Sequence, residues 1–361
     1  MTGIPEIEKI KQTPLFFILG RPRTGSTLLR SLFDAHPNVI IPYEWPMLLL
    51  LQRQFGKVSH WDKPGLESFY RALFQPLRLS YWSIRNWPGI DLELLHSNLL
   101  ECEGEHSLET LLKVVYYHHT SFFGKKEILL IGDKNPAISN HPELLAKLFP
   151  EAKFIHLVRD YRDNLVSMLD VDFEMPNVTL LTYRWKYSFR LIEKSARLHP
   201  ERFRTIRYEQ FVKSPEKEFG SLCKFLNLPE DPSIANFNAM KERITAGFSP
   251  EIISRYFSSL LQPIDERKVG IYRQKLTERQ IRIADLVAGS CAEKAGYKRE
   301  VKKFSVPEYC WVAPAIVYTK GLYFIGALVR LLPFSWMIRV MNKPSVIVAI
   351  YSRLHGAKTG K

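Results

Sequence analysis

The sequence predicts an α/β protein built on a mainly parallel sheet, with helices on both faces. Three observations carry that expectation. The apolar run Leu15–Leu19 closes on Gly20 and passes through a short loop into a helical pattern. Further short apolar runs alternate with helical patterns as far as Tyr208, the signature of strands joined by crossover helices. Beyond residue 300 the chain changes character and becomes apolar and basic.

Each element follows from local chemistry. A continuous apolar run such as LFFIL suits a strand buried on both faces. Over Thr27–Ala35, Leu28, Leu29, Leu32 and Phe33 fill one helical face, and His36-Pro37-Asn38 ends it. Val39-Ile40-Ile41 reads as a second strand running out to Glu44, which completes a βαβ unit. Residues 45–125 are aromatic-rich and mostly helical in pattern, with breaks at Pro64, Pro76 and Pro88, and read as a cap over the sheet. Ile128–Gly132 is a third strand, ending in Asp133-Lys134. Glu143–Leu148 is a short helix, and Lys153–Val158 a fourth strand ending at Arg159. A helix over Asp163–Asp170 and a fifth strand over Arg204–Tyr208 follow. Open parallel sheets bind ligands beyond the carboxyl ends of their strands. Arg23, Glu44, Lys134, Arg159 and Tyr208 are therefore expected to converge on one crevice.

Composition narrows the function. At 361 residues, 46% hydrophobic and 24% charged, the chain buries a real core, which excludes a disordered, fibrous or disulfide-stapled protein. Cys102, Cys223, Cys291 and Cys310 form no CxxC pair, which argues against a zinc ribbon and for a reduced, cytoplasmic compartment. The first apolar stretch, Pro14–Gly20, is too short for a secretory signal. The net charge of +14 is uneven: residues 301–361 hold nine Lys/Arg against Glu308 alone. A nucleic-acid binder carries its basic patch on the folded body, so the pattern points away from nucleic acid and toward an anionic membrane surface. No cluster of His, Asp or Glu has metal-ligand spacing, and no metal is expected. His118-His119 point to different sides of a helix, and Trp82 and Trp87 read as core more readily than as stacking residues.

Two motifs carry chemistry. Gly20-Arg21-Pro22-Arg23-Thr24-Gly25-Ser26-Thr27 has the G-x-x-x-x-G frame of a phosphate loop, with Ser26 where the lysine belongs. Glycines allow the tight turn, helix N–H groups face an anion, and Ser26 and Thr27 add hydroxyls. The plainer alternative is a glycine turn with a surface arginine at 23. In the second motif, Arg159 leaves a buried strand and Ser167 lies in the next helix, a pair able to grip one phosphate. The plainer alternative there is an Arg159–Asp163 ion pair capping the helix.

Taken in order, PRTGSTLLRSLFDAHPNV followed by Glu44, GDKNP at 132–136, FPEAKFIHLVRDYRDNLVSM at 149–168, IRYEQFVKSPEKEFGSLCKFLNLP at 206–229 and KVGIYRQKLT at 268–277 resemble the sulfotransferases that use 3′-phosphoadenosine 5′-phosphosulfate (PAPS). The pattern is nearest to the protein-tyrosine and carbohydrate branches, and it implies a P-loop-like sheet flanked by helices over residues 14–300. The resemblance implies that Arg23, Thr24, Gly25, Ser26 and Thr27 hold the 5′-phosphosulfate, and that Arg159 and Ser167 hold the 3′-phosphate. It places Tyr208 near the nucleotide, closes the segment around Lys268 and Gly270 over it, and makes Glu44 the base, with Arg23 and Lys134 as catalytic cations. Two positions depart from the family. Tyr161 replaces the proline usual after Arg-Asp, and where the soluble steroid branch uses a histidine base, His36 in AHPN here looks like a helix-end residue.

The tail, residues 301–361, is expected to lie in the plane of a membrane. Lys320 and Arg330 interrupt its best spanning window, and Pro314, Pro333 and Pro344 divide it into short pieces. The alternative is a helical pair packed on the body. The expected whole is a cytoplasmic, peripheral enzyme passing a sulfuryl group from PAPS to a lipophilic hydroxyl. A P-loop kinase or a membrane-tethered nucleotide-binding module are the other readings, and the lysine-free loop with the Arg159–Ser167 pair speaks against the kinase.

Overall fold

The computed structural model describes residues 6–74, 83–171, 173–231 and 264–342. They fall into two compact units. The first takes in 6–74, 83–158, 191–231 and 264–266, and the second 159–171, 173–190 and 267–342.

The first unit is organised by a five-stranded parallel sheet: β1 (Leu15–Leu19), β2 (Val39–Ile40), β5 (Leu130–Lys134), β6 (Lys153–Val158) and β7 (Phe203–Arg207), in the order β2-β5-β1-β6-β7. All four pairings are parallel, so every strand ends on the same edge. β1 is buried along its whole length, as its unbroken apolar run requires. Side chains alternate across a strand, so Phe16 and Phe17 face opposite layers. Phe16 meets Phe33 of α2 (Ser26–Ala35) at 4.8 Å between ring centroids, and Phe33 in turn meets Phe219 at 4.9 Å. Phe17 packs against Phe149 and Phe154 at 5.2 and 5.4 Å. A Cβ at Gly132 of β5 would come within 2.6 Å of the Phe16 ring, so only glycine fits there.

Before β1 stands α1 (Ile7–Gln12), and the cap holds α3 (Leu48–Phe55), α4 (Lys63–Ala72), α5 (Leu92–Leu100) and α6 (Leu108–Tyr117). Several points differ from the sequence expectation, and β5 itself lies two residues further on than Ile128–Gly132, taking in Asp133 and Lys134. β2 ends at Ile40, and residues 41–44 continue outside the ladder, because Pro42 has no N–H to donate to a neighbour. Pro64 does not break the cap but sits in the first turn of α4, where its missing N–H is no loss, behind an Asp62 side chain that accepts from Gly65 N–H. The cap also holds a small antiparallel pair, β3 (His60–Trp61) with β4 (Gly104–Glu105). Pro76 and Trp82 lie outside the described residues, while Trp87 is buried. After β5 come α7 (Pro142–Leu148) and, past β7, α10 (Tyr208–Lys213) and α11 (Pro215–Leu226), so Tyr208 opens a helix rather than closing a strand.

In the second unit, α8 (Tyr161–Leu169) is capped by Asp160, which accepts from Arg162 N–H at 2.9 Å. Helix α9 (Val178–Leu198), whose residues up to 190 belong to this unit, starts on Asn177, whose side chain accepts from Leu180 N–H. Next come α12 (Tyr272–Lys275), α13 (Glu278–Ala288) and α14 (Ser290–Lys294). Tyr161, at the position of the family's proline, is fully buried and donates its hydroxyl to Asp285 of α13. The departure at 161 is therefore a packing solution.

The tail corrects the expectation of short pieces. Val306–Val329 is one continuous helix, α15, which runs through Pro314, and α16 (Phe334–Asn342) follows. Pro314 deprives Cys310 of an intrahelical donor, and both residues lie exposed rather than in the core. A capping box of Ser305 and Glu308 starts the helix, Glu308 pairs with Arg282 of α13, and Val312 and Thr319 are buried against the unit. The remaining faces are open, with Trp311 and Phe324 each 65% exposed and Leu331 78%. Pro344 lies outside the described residues.

Buried histidines shape the acid response, His118, His119 and His156 most strongly. Burial pulls His118 down to about 4, and His119 and His156 down to about 3. All three are neutral in the folded protein, while their unfolded counterparts bind a proton below about 6.5. Their contribution is complete above that value and is lost progressively as pH falls toward 4, because the unfolded chain then binds protons that the folded one does not. Melting temperature is expected to fall steeply from pH 6.5 to 4 in a thermal-unfolding series. Replacing His156 by leucine is expected to flatten that slope, and an unchanged slope would contradict the assignment.

Candidate active site

The first unit presents its loop beyond β1. Gly20 approaches β6 so closely that a Cβ would sit 2.6 Å from the Leu157 carbonyl oxygen, and its N–H donates to Ser139 Oγ at 2.9 Å. Ser139, on the turn after β5, had no signal in the sequence that marked it. Thr24 is buried and its hydroxyl donates to Arg21 O at 2.9 Å, which folds the loop back on itself. Arg23 has φ +66, a left-handed backbone unusual for a residue with a Cβ, and its side chain is exposed. Gly25 has φ +94, and a Cβ there would lie 2.6 Å from the Tyr208 ring. Tyr208 is thus packed directly on the loop. No side chain caps the N-terminus of α2, so its first N–H groups remain available to an anion. Ser26 is buried and Thr27 half-buried at the start of that helix.

A lysine reaches the start of α2 from the neighbouring strand. Lys134, the last residue of β5, stands in register with Ile18 of β1 and is buried. Its Nζ donates to Thr27 Oγ1 at 3.0 Å and to Glu44 Oε1. A lysine amine has three donors, so it can hold both groups at once. Glu44 is partly exposed, with 28% of its side chain accessible. Thr27, Lys134 and Glu44 therefore form one hydrogen-bonded chain. Next to it, burial lifts Asp133 to about 6, against the Tyr116 hydroxyl that donates to it at 2.7 Å.

His36 stands at the end of α2 with both ring nitrogens engaged: Nδ1 accepts from Asn38 N–H at 3.2 Å and Nε2 donates to Pro229 O at 3.1 Å. This is a helix-stop arrangement. Among the described residues no group of three or more His, Cys, Asp or Glu is placed to hold a metal ion.

The second unit contains the other sequence-selected residues. Arg159 is buried, its Nη2 donates to Lys268 O at 2.8 Å, and its carbonyl accepts from Trp185 Nε1 at 3.0 Å. Ser167 is half-buried on α8. Gly270 has φ +70, which favours glycine, and Lys268 is exposed two residues earlier. Asp163 accepts from the N–H groups of Gly270 and Tyr272 at 2.7 and 3.0 Å. Its carboxylate thus anchors the 268–272 segment, a role that sequence reading missed because partner and anchor are more than a hundred residues apart. Nearby, Arg162 forms a fork with Asp160 at 3.0 and 2.8 Å and lies 4.2 Å over the Tyr272 ring.

Comparison with known proteins bears on this arrangement. The chain is 27% identical over 260 residues to protein-tyrosine sulfotransferase 1 of Danio rerio, covering 71% of this chain and 64% of the relative. It is 26% identical over 265 residues to the omega-hydroxy-beta-dihydromenaquinone-9 sulfotransferase of Mycobacterium bovis, covering 61% of this chain and 64% of the relative. The chain thus spans a little under two thirds of each curated relative's length. In fold it is similar to the sulfotransferase domain from the Synechococcus PCC 7002 olefin synthase, with a TM-score of 0.50, 24% identity, and coverage of 76% of this chain and 94% of that one. The family description that matches, "Sulfotransferase family", covers residues 14–232, from just before β1 to past α11, and on that match over more than half its length the chain belongs to the sulfotransferase family.

Proposed function

We propose that this protein moves the sulfuryl group of PAPS to an acceptor hydroxyl, with Glu44 as general base. The observation that carries the reading is the chain Thr27–Lys134–Glu44. One amine touches both the phosphate loop and a carboxylate, which joins leaving-group stabilisation to proton removal. A P-loop kinase carries its lysine inside the loop to reach the β- and γ-phosphates. Here the lysine arrives from β5 and already holds a base.

In this reading Arg23, Thr24, Gly25, Ser26 and Thr27 hold the 5′-phosphosulfate. The uncapped α2 terminus and the Cβ-free approach at Gly25 support that role. Arg159 and Ser167 hold the 3′-phosphate, with Tyr208 beside the nucleotide and the Lys268–Gly270 segment closing on it. The hydrogen bonds from Arg159 to Lys268 O and from Gly270 N–H to Asp163 support a preformed segment. PAPS supplies an activated sulfur, whose bond to the bridging oxygen breaks as the acceptor oxygen bonds to it. Glu44 takes the acceptor proton, and Lys134 and Arg23 offset the charge that grows on the departing phosphate. No residue of this scheme requires a metal.

For the acceptor, the reading is a lipophilic alcohol met at a membrane. Residues 14–300 are taken as the transfer body and 301–361 as a membrane-associating tail at the cytoplasmic face. Val306, Val317, Phe324 and Leu328 are exposed and recur at whole-turn spacings along α15, opposite the stripe on which Val312 and Thr319 are buried. That geometry suits a helix lying in the interface, with Lys320, Arg330 and Arg339 reaching anionic headgroups. By length and composition alone α15 is also sufficient to cross a membrane. The Mycobacterium bovis relative is named for a lipid acceptor, and the Danio rerio relative for protein tyrosine, which keeps a tyrosyl hydroxyl as the second reading.

Three outcomes are expected. Calorimetry should find 3′,5′-bisphosphorylated adenosine bound far more tightly than AMP or ATP. Arg159→Ala should remove most of that preference, roughly 1.5–3 kcal/mol for a charged hydrogen bond; equal affinities in the wild type would sink the donor assignment. Glu44→Gln should preserve nucleotide affinity and lower turnover by about 10²–10⁴-fold. Labelled PAPS offered to separate lipid, glycan and peptide pools is the assay, and label in peptide alone would favour the tyrosyl acceptor. Finally, the full chain should bind phosphatidylglycerol vesicles less well at high salt but still measurably. A chain truncated after Lys303 should lose vesicle binding and keep nucleotide binding. Indifference of the full chain to vesicles would refute the tail's role.

A further inference from the structure

A buried ionic cluster lies behind the segment that carries Glu44, and no step of the proposed transfer uses it. Arg30, one turn into α2 beyond Thr27, is 2% exposed. Its Nη2 donates to Ile41 O at 2.5 Å and its Nε to Pro42 O at 3.3 Å. Its guanidinium lies 4.0 Å from the centre of the Tyr43 ring. Those three residues lead directly into Glu44. Their backbone lies past the last ladder pair of β2, Ile40 with Ile131, so the sheet does not hold it.

The rest of the cluster keeps Arg30 in place. Its Nη1 lies 3.4 Å from Asp34 Oδ2, one turn along the same helix. Its Nη2 also lies 3.0 Å from His119 Nε2. Arginine has no acceptor, so His119 must offer a lone pair at Nε2 and carry its proton on Nδ1. Burial, which holds the His119 ring at about 3, keeps that neutral form. Lys125 lies 3.5 Å from Asp34 Oδ1 and donates to His36 O at 3.2 Å. Burial alone would push the Asp34 carboxyl up, but Arg30 and Lys125 together hold it below its usual range.

We infer that Arg30 is a positioning residue for the base: by forking onto the carbonyls of residues 41 and 42, it fixes the Glu44 segment to the helix that opens at the phosphate loop. One helix then sets both ends of the reacting assembly. Thr27 holds Lys134, and Arg30 holds the backbone from which Glu44 reaches that same lysine. The planar fork matters, because a lysine is a single point donor that keeps the charge beside Asp34 but does not span two carbonyls. The inference rests on the reading of Glu44 as base.

The test is a double-mutant cycle with Arg30→Lys and Glu44→Gln, using labelled PAPS and the combined lipid, glycan and peptide pool as acceptor. Arg30→Lys is expected to lower the initial rate at saturating PAPS roughly 10- to 100-fold, the scale of a misplaced catalytic group. The apparent KM for PAPS and the affinity for 3′,5′-bisphosphorylated adenosine should stay within about threefold, since the loop is untouched. In the Glu44→Gln background, Arg30→Lys should add no further loss. An unchanged rate, additive losses, or a parallel fall in rate and nucleotide affinity would each overturn the inference. A near-normal rate in Glu44→Gln alone would instead overturn the base assignment, so the two failures are distinct. Should Arg30→Lys not fold, Tyr43→Leu decides the question, since it removes the ring under the guanidinium and leaves the Arg30–Asp34 pair intact. The same signature is expected from it with a smaller rate loss, and additive or absent losses would again count against Arg30.

Discussion

The loop after β1 is constrained by how closely it must pass its neighbours. Gly20 turns where a Cβ would press on the Leu157 carbonyl, and Gly25 turns where one would press on the Tyr208 ring. β1 is held between β5 and β6 and buried along its whole length, so the turn starts from a fixed point. The uncapped start of α2 is fixed by the same packing through Phe33 against Phe16. Because all strands run parallel, the residues that follow β2 and β5 reach the same edge of the sheet as the loop. Lys134 owes its place at Thr27 to a register of one residue pair, Ile18 with Lys134.

Buried charge in this protein serves geometry more than stability. Removing paired ions from water costs nearly as much as their attraction returns, and apolar replacements of equal volume are often as stable. Arg30, Asp34 and His119 are nonetheless almost fully buried together, as are Arg162 and Asp285 in the second unit. In both places the charged groups reach backbone: Arg30 at Ile41 and Pro42, Asp163 at Gly270 and Tyr272, Asp285 at Val301. Ile41, Pro42, Gly270 and Val301 lie outside any sheet or helix ladder, and Tyr272 opens α12.

The tail follows a different logic. α15 is anchored at its start by Glu308 on Arg282 and along one stripe by Val312 and Thr319, while large apolar side chains stay exposed around it. Those side chains leave a broad apolar surface open on α15 among the described residues. Tyr187 and Tyr323, stacked at 4.0 Å, show that the contact with the second unit extends well along the helix.

The strands and most helices were legible from sequence because burial imposes period and composition directly. LFFIL and KFIHLV read as strands and are strands at the expected bounds. The tight turn after β1 was legible because glycine spacing records backbone turns, and Gly20 and Gly25 are both sterically required. Other parts were not. Pro314 reads as a break, yet its helix continues, because cap and docking contacts outweigh one lost bond at an exposed turn. Tyr161 reads as a departure and is a core tie to Asp285, 124 residues away. Glu44 and Lys134 were selected as strand-end residues, but only the pairing of β5 with β1 decided that one lysine touches both the loop and the carboxylate. Arg30, Ser139 and Asp163 carry no local signature, since each acts on backbone brought close by folding. Local pattern determines which segments become strands and turns, and long-range register decides which side chains meet.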